Sequence, residues 1–204
     1  MRFALLLICA ALSLASGCDA AQDTNADLVD VQKAVPSVKL DIRYATTNNF
    51  TGQQLYTSTN CFLRRTTAEK LAQVQAELKP MGFGLKVFDG YRPLSVQRKM
   101  WKVYPNPGYV ADPKKGSRHN RGAAVDLTLI HTDGREVLMP SPYDSFTETA
   151  HRDSTNATPE ALANRALLER VMVKHGFEPL STEWWHFDDA DWRKYPLMDI
   201  IPQQ

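Results

Sequence analysis

The stretch from Gly122 to Ile130 constrains this chain more than any other. It alternates as a strand does, with Val125, Leu127 and Leu129 on one face and Ala124, Asp126 and Thr128 on the other. His119 sits in the loop that enters this strand. A histidine so placed and an aspartate on the smaller face can converge on one ion. Zinc accepts imidazole nitrogen and carboxylate oxygen at roughly 2.0–2.2 Å, and a catalytic site takes three protein ligands with one position left for water. The candidate third ligand is His186, in Glu183-Trp184-Trp185-His186. Taken singly, each residue has an ordinary explanation: a surface histidine, a satisfied buried acid, a solvent-facing carboxylate.

Glu183 and His186 set a geometric condition. On a regular strand, residues three apart point to opposite faces, so both could not address one ion. Trp184, Trp185 and Phe187 favour a strand over about 184–187. Glu183 is therefore expected in the turn just before it, where it can take a proton from a water acidified by the metal.

The rest of the chain reads as helices and strands without a βαβ rhythm. Thr66-Thr67-Ala68-Glu69 has the form of a capping box for a helix with Ala68, Leu71, Val74 and Leu78 on one stripe, ending at Pro80 and Gly82. A strand is expected over Gly84 to Phe88. The loop Asp89-Gly90-Tyr91-Arg92 follows it, and a helix then starts at Pro93 and runs to about Trp101. Residues 104–118 read as a loop, and 131–157 as a long polar excursion of the kind that is usually functional or mobile. Thr158 and Pro159 open a third helix, with Leu167, Leu168, Val171 and Met172 inward and Gly176 at its end. The expected class is α+β, one domain with a small, mainly antiparallel central sheet flanked by helices.

Charge narrows the partners. The 204 residues carry 24 basic and 23 acidic side chains, a formal net charge of +1. That balance supplies no field for nucleic acid or an anionic membrane, and no basic stripe is present. A small ligand or a neutral polymer fits better. At the start, Arg2, the apolar run Phe3 to Leu14 and the small residues Ala15, Ser16 and Gly17 form an export leader, too short to span a membrane. Leu14-Ala15-Ser16-Gly17-Cys18 resembles the bacterial lipoprotein cleavage box, which makes residues 1–17 a signal peptide and Cys18 a lipid site. Residues 18–38 then read as a polar tether and 39–204 as the domain. Cys9 would leave with the leader, so Cys61 has no partner and is expected to be a small buried hydrophobe.

Four blocks in order carry a resemblance. Tyr44-Ala45-Thr46 with Asn49-Phe50-Thr51-Gly52, then Asp89-Gly90-Tyr91-Arg92-Pro93, then His119-x6-Asp126, then Glu183-Trp184-Trp185-His186 are similar to the D-alanyl-D-alanine dipeptidases, the VanX-type zinc peptidases. The likeness runs from about Leu40 to Trp192. It implies one zinc per chain on His119, Asp126 and His186, Glu183 as general base, and Arg92 stabilising the tetrahedral oxyanion. It further implies that Ser117 binds the substrate carboxylate, that Asp89 and Asp144 lie near its free amine, and that Tyr44 and Tyr56 wall the site. The expected activity is hydrolysis of D-Ala-D-Ala in peptidoglycan metabolism. Rival readings are a D,D-carboxypeptidase on stem peptides and a non-catalytic wall-binding lipoprotein. A metal carrier would leave Arg92 and Glu183 without a purpose.

Overall fold

A computed structural model describes residues 27–202. The leader, Cys9, Cys18 and the first part of the expected tether lie outside the described residues. In chain order the elements are β1 (Leu28–Asp30), α1 (Val31–Ala34), β2 (Lys39–Leu40), β3 (Phe62–Arg64), α2 (Arg65–Leu78), β4 (Phe83–Asp89), α3 (Leu94–Val103), β5 (Ala124–His131), α4 (Pro159–Lys174), β6 (Phe177–Pro179) and β7 (His186–Asp189). The α+β architecture is as expected.

Five strands form the central sheet in the order β2-β4-β5-β7-β6, and β1 pairs with β3 in a separate two-stranded sheet. Only the β2–β4 pair of the large sheet is parallel. The apolar face of β5 packs beneath α2 and α4, where Leu71, Val74, Leu78, Leu127, Leu129, Leu168, Val171 and Met172 are buried. The opposite face of the same strand carries Asp126. Both faces of β5 are covered, so its alternation separates a helix-packed side from a site side rather than core from solvent.

One irregularity matters for chemistry. Val87 of β4 pairs with Leu127, but Asp89 pairs with Asp126, so the register shifts at Phe88. A bulge of this kind reverses which face the next side chain takes. Asp89 thus leaves the helix-packed side used by Leu85 and Val87 and joins Asp126. Since Asp126 also pairs with His186 on β7, three site residues lie in a row across three strands.

Several local expectations are corrected. The tether does not extend to residue 38: β1 and α1 are part of the fold, and Val31, Val35 and Val38 are buried in the core. Asp30 caps α1, accepting from the Gln32 and Lys33 amides. The capping box at Thr66 does not form, because α2 already starts at Arg65. Thr67 instead donates its hydroxyl to Asp189 (2.6 Å), a buried acid also held by Lys70. Pro93 is the residue before α3, not its first. Trp184 and Trp185 belong to a turn, and β7 starts at His186. The two indoles pack edge to face and are buried, while the Trp185 carbonyl still accepts from the Leu127 amide of β5 at 3.0 Å. The 131–157 excursion packs onto the core, with Val137, Tyr143 and Ala150 buried. Thr158 does cap α4, accepting from the Ala161 amide. Cys61 is buried, and burial pushes its thiol well above the usual range.

Candidate active site

The site lies on the face of β4, β5 and β7 away from α2. His119 comes from a single 3-10 turn, His119–Arg121, which closes on Gly122 in a left-handed conformation (φ 69°). A side chain at position 122 would be strained in that conformation and would also meet Leu28 Cδ2 at 2.7 Å. His119, Asp126 and His186 each offer a ligand atom, and these atoms lie within 4.8 Å of one another. His119 Nε2 is 3.1 Å from His186 Nδ1, and that nitrogen is 2.9 Å from Asp126 Oδ1.

The far side of each imidazole fixes its tautomer. His119 Nδ1–H donates to the Gly90 carbonyl (2.7 Å), and His186 Nε2–H donates to Asp188 Oδ1 (2.9 Å). Once His186 gives up its second proton, the two remaining nitrogens turn their lone pairs into the same space as the Asp126 carboxylate. Three converging lone-pair donors, all under 8% exposed, form a set that a cation completes. The donor set of two imidazoles and one carboxylate fits zinc. Gly90 has no room for a side chain, since a Cβ there would meet Cys61 Sγ at 2.5 Å and the Phe62 carbonyl at 2.8 Å. His119 is thus oriented by backbone packed against the β3 strand.

Glu183 stands in the turn before β7, as its spacing from His186 required, with Oε2 4.0 Å from His186 Nδ1. Burial is the main cause that pushes its carboxyl up to about 8, with His186 opposing and the Asp126 charge adding to the rise. Arg92 faces the same space, its Nη2 3.9 Å from Asp126 Oδ2 and its guanidinium 5.3 Å from the centre of the Tyr44 ring. Although burial opposes its charge, Asp89 holds it well above the ordinary value. Ser117 also lines the cavity. Its Oγ accepts from the His119 amide at 3.2 Å, so the hydroxyl proton stays free to donate elsewhere.

The predicted amine-binding acids separate. Asp89 is fully buried, and every oxygen is engaged: Oδ1 accepts from Tyr56 and the Gly90 amide, and Oδ2 takes two bonds from Arg92 at 2.7 and 3.0 Å. It does not line the cavity; instead it braces Arg92 from behind. Tyr56 is corrected likewise: its hydroxyl serves Asp89 behind Arg92, and it lines a different surface groove. Asp144 does line the cavity. It is the one non-glycine described residue with positive φ (59°), a conformation that aspartate tolerates and that often marks a functional position. Oδ1 accepts from Tyr44, and burial together with the Asp126 charge raises its carboxyl to about 7. Tyr44 lines the cavity too.

Three further contributors were not read from the sequence. Tyr143 donates to Asp126 Oδ2 (2.9 Å), Gln97 accepts from Arg92 Nη1 (2.8 Å), and Asp188 orients His186. For Asp188 a signal existed, since residues 186 and 188 share one face of a strand. Tyr143 and Gln97 carried none. Phe50, Tyr109 and Phe146 wall the opposite side, with Phe146 stacked on Tyr109 at 5.0 Å. The cavity is about 120 Å³, well under the several hundred usual for drug-sized ligands.

Known proteins resemble this chain over most of its length. A D-alanyl-D-alanine dipeptidase of Escherichia coli (strain K12) is 35% identical over 172 residues, spanning 84% of this chain and 89% of the relative. Enzymes of the same name from Enterococcus faecalis (33% identical, 78% and 89%) and Streptomyces coelicolor (31%, 79% and 90%) are similar over comparable lengths. Among solved structures, a vancomycin resistance D,D-pentapeptidase VanY aligns with a TM-score of 0.42 at 17% identity over 67% of this chain and 77% of its own. The family model described as D-ala-D-ala dipeptidase matches residues 24–201, and this chain belongs to that Peptidase_M15 family.

Proposed function

We propose that the protein is a zinc dipeptidase that hydrolyses free D-Ala-D-Ala to two D-alanines. The observation that carries this reading is the composition of one small cavity. His119, Asp126, His186, Glu183, Arg92, Ser117 and Asp144 all line a space of about 120 Å³. A dipeptide has an ammonium at one end and a carboxylate at the other, and both must be matched when water is expelled. Asp144 supplies the anion for the ammonium, and Ser117 a donor for the carboxylate. A volume this small holds a residue pair rather than a long peptide, and Asp144 at its wall gives a free amine a partner that a stem peptide, acylated at that nitrogen, would not use.

Zinc, when bound at the His-Asp-His set, supplies Lewis acidity toward a carbonyl and lowers the pKa of water to about 7. Glu183 accepts a proton from the attacking water and returns it to the leaving amine; a cation at the adjacent set would offset the rise that burial gives its carboxyl and keep it ionised for the first of these transfers. Arg92, kept cationic by Asp89 and aimed by Gln97, places permanent positive charge where the oxyanion develops. Tyr143 and Asp188 hold Asp126 and His186 in orientation. The leader and Cys18 support an exported, lipid-anchored enzyme acting on wall-derived peptide.

The test is substrate choice. Purified soluble protein is incubated with D-Ala-D-Ala, its N-acetyl form and a muramyl pentapeptide. Only the free dipeptide should be cleaved, chelator should abolish turnover, and Glu183→Ala should lower kcat by about 10²–10⁴. Equal cleavage of the pentapeptide would make the protein a D,D-carboxypeptidase instead.

A further inference from the structure

The turn from Leu180 to His186 carries both Glu183 and a metal ligand, yet it holds itself together weakly. Its internal bonds, from the Leu180 amide to the His186 carbonyl, from the Glu183 amide to the Leu180 carbonyl, and from the His186 amide to the Glu183 carbonyl, are all 3.4 Å. That is the outer limit of a hydrogen bond. No regular element contains residues 180–185. The Leu127 amide ties the Trp185 carbonyl to β5 at 3.0 Å, which leaves the stretch from Leu180 to Glu183 to be placed by other contacts.

Arg152 contacts both ends of this turn. Its Nε donates to the Leu180 carbonyl at 2.9 Å and its Nη2 to the His186 carbonyl at 2.8 Å. The third nitrogen, Nη1, reaches Glu169 on α4 at 3.0 Å, and the guanidinium lies 4.3 Å from the centre of the Phe187 ring. The side chain is 9% exposed. Backbone bonds reinforce the contact, from the Arg152 amide to the Ser181 carbonyl (2.9 Å) and from the Trp184 amide to the Ala150 carbonyl (3.0 Å). Arg152 does not line the cavity, so it touches neither substrate nor metal.

The geometry points to Arg152 as the positioning residue that sets Glu183 against the metal triad, by bridging the two ends of the turn with one planar guanidinium. This rests on the role of Glu183 proposed above. Only a rigid fork can serve carbonyls at 180 and 186 and the Glu169 carboxylate together; a lysine offers a point charge that reaches one of them. Burial lowers the Arg152 pKa to about 10, with Glu169 opposing the fall, so the group stays charged at neutral pH. Such a buried charge is a costly way to fill space that a methionine could fill. Its use here makes sense as a geometric brace, which also gives the long 131–157 excursion a purpose.

Arg152→Lys keeps a cation and the stem over Phe187, so the fold should survive. Two measurements decide the matter. In amide hydrogen exchange, the amides of Glu183, Trp184 and His186 should exchange at least about tenfold faster than in the native protein, with α2 amides unchanged. In steady-state kinetics with D-Ala-D-Ala, kcat per zinc-loaded molecule should fall roughly 10- to 100-fold while KM stays within about twofold. Low-millimolar guanidinium should restore part of the kcat lost in Arg152→Ala. Native exchange in the turn, or exchange raised evenly across the whole fold with kcat intact, would overturn the assignment. The exchange readout needs no substrate, so native protein inactive on D-Ala-D-Ala would remove the functional reading without deciding this one.

Discussion

Asp89 and Asp144 show how position, not residue type, sets a carboxylate's work. Both lie near Arg92 and Tyr44, but the bulge in β4 turns Asp89 into a sealed network with Tyr56, Gly90 and Arg92. Asp144 keeps a face toward the cavity because its left-handed backbone presents the carboxylate inward. Losing a charge-assisted bond to the substrate ammonium costs about 1.5–3 kcal/mol. Asp144→Asn should therefore raise KM for D-Ala-D-Ala roughly 10- to 100-fold with little change in kcat, measured by steady-state release of D-alanine. An unchanged KM would remove Asp144 from the amine site. At this scale the metal set was legible through the order of the four blocks, since the strand pattern alone left His119, Asp126 and His186 each with an ordinary explanation. The split of the two acids was not, since a bulge leaves no mark on an alternating sequence. Tyr143 and Gln97 were equally hidden, their partners lying far away in the chain.

Among the elements, those with strong periodicity were readable and the short ones were not. β5, α2, α3 and α4 stand within a few residues of their expected places. β1, β2, β3 and β6 span only two or three residues each, too few for any alternation to register. The expected tether hid the first of them, because polar residues between Val31, Val35 and Val38 mask a buried face. The consequence is a stability prediction. Val31 and Val38 are fully buried, and burying such a side chain is worth roughly 1.5–3 kcal/mol. A chain beginning at Lys39 should thus lose at least about 3 kcal/mol by urea unfolding relative to one beginning at Asp27. Equal midpoints for the two would return residues 27–38 to the status of a linker.

At the scale of the whole molecule, the site concentrates charge that the fold alone does not stabilise, and pH exposes this. Burial and the Asp126 charge raise Asp144 to about 7, and burial raises Glu183 to about 8. Burial would lower His186, but Asp188 and Asp126 overcome it and raise the imidazole to about 10. All three groups bind more protons folded than unfolded. Stability of the metal-free protein must then fall as pH rises, from about pH 4 for the carboxyls and from about 6.5 for His186. Asp126 and Asp188 work in the opposite sense, since their histidine partners hold them low, but their contribution is complete by about pH 4. Between about pH 5 and 9 the three raised groups therefore set the slope. A bound divalent cation requires His186 unprotonated and the Asp126 carboxylate charged, so its binding releases protons and tightens with pH. Chelator-treated protein should show a Tm that declines across this window, whereas protein with one equivalent of zinc should show a flat or rising one, so that the gap widens toward alkaline pH. Asp144→Asn should shallow the decline of the metal-free form. A metal-free Tm that climbs from pH 5 to 9 would mean that these buried groups are charged without cost, and that the site is not built around an ion.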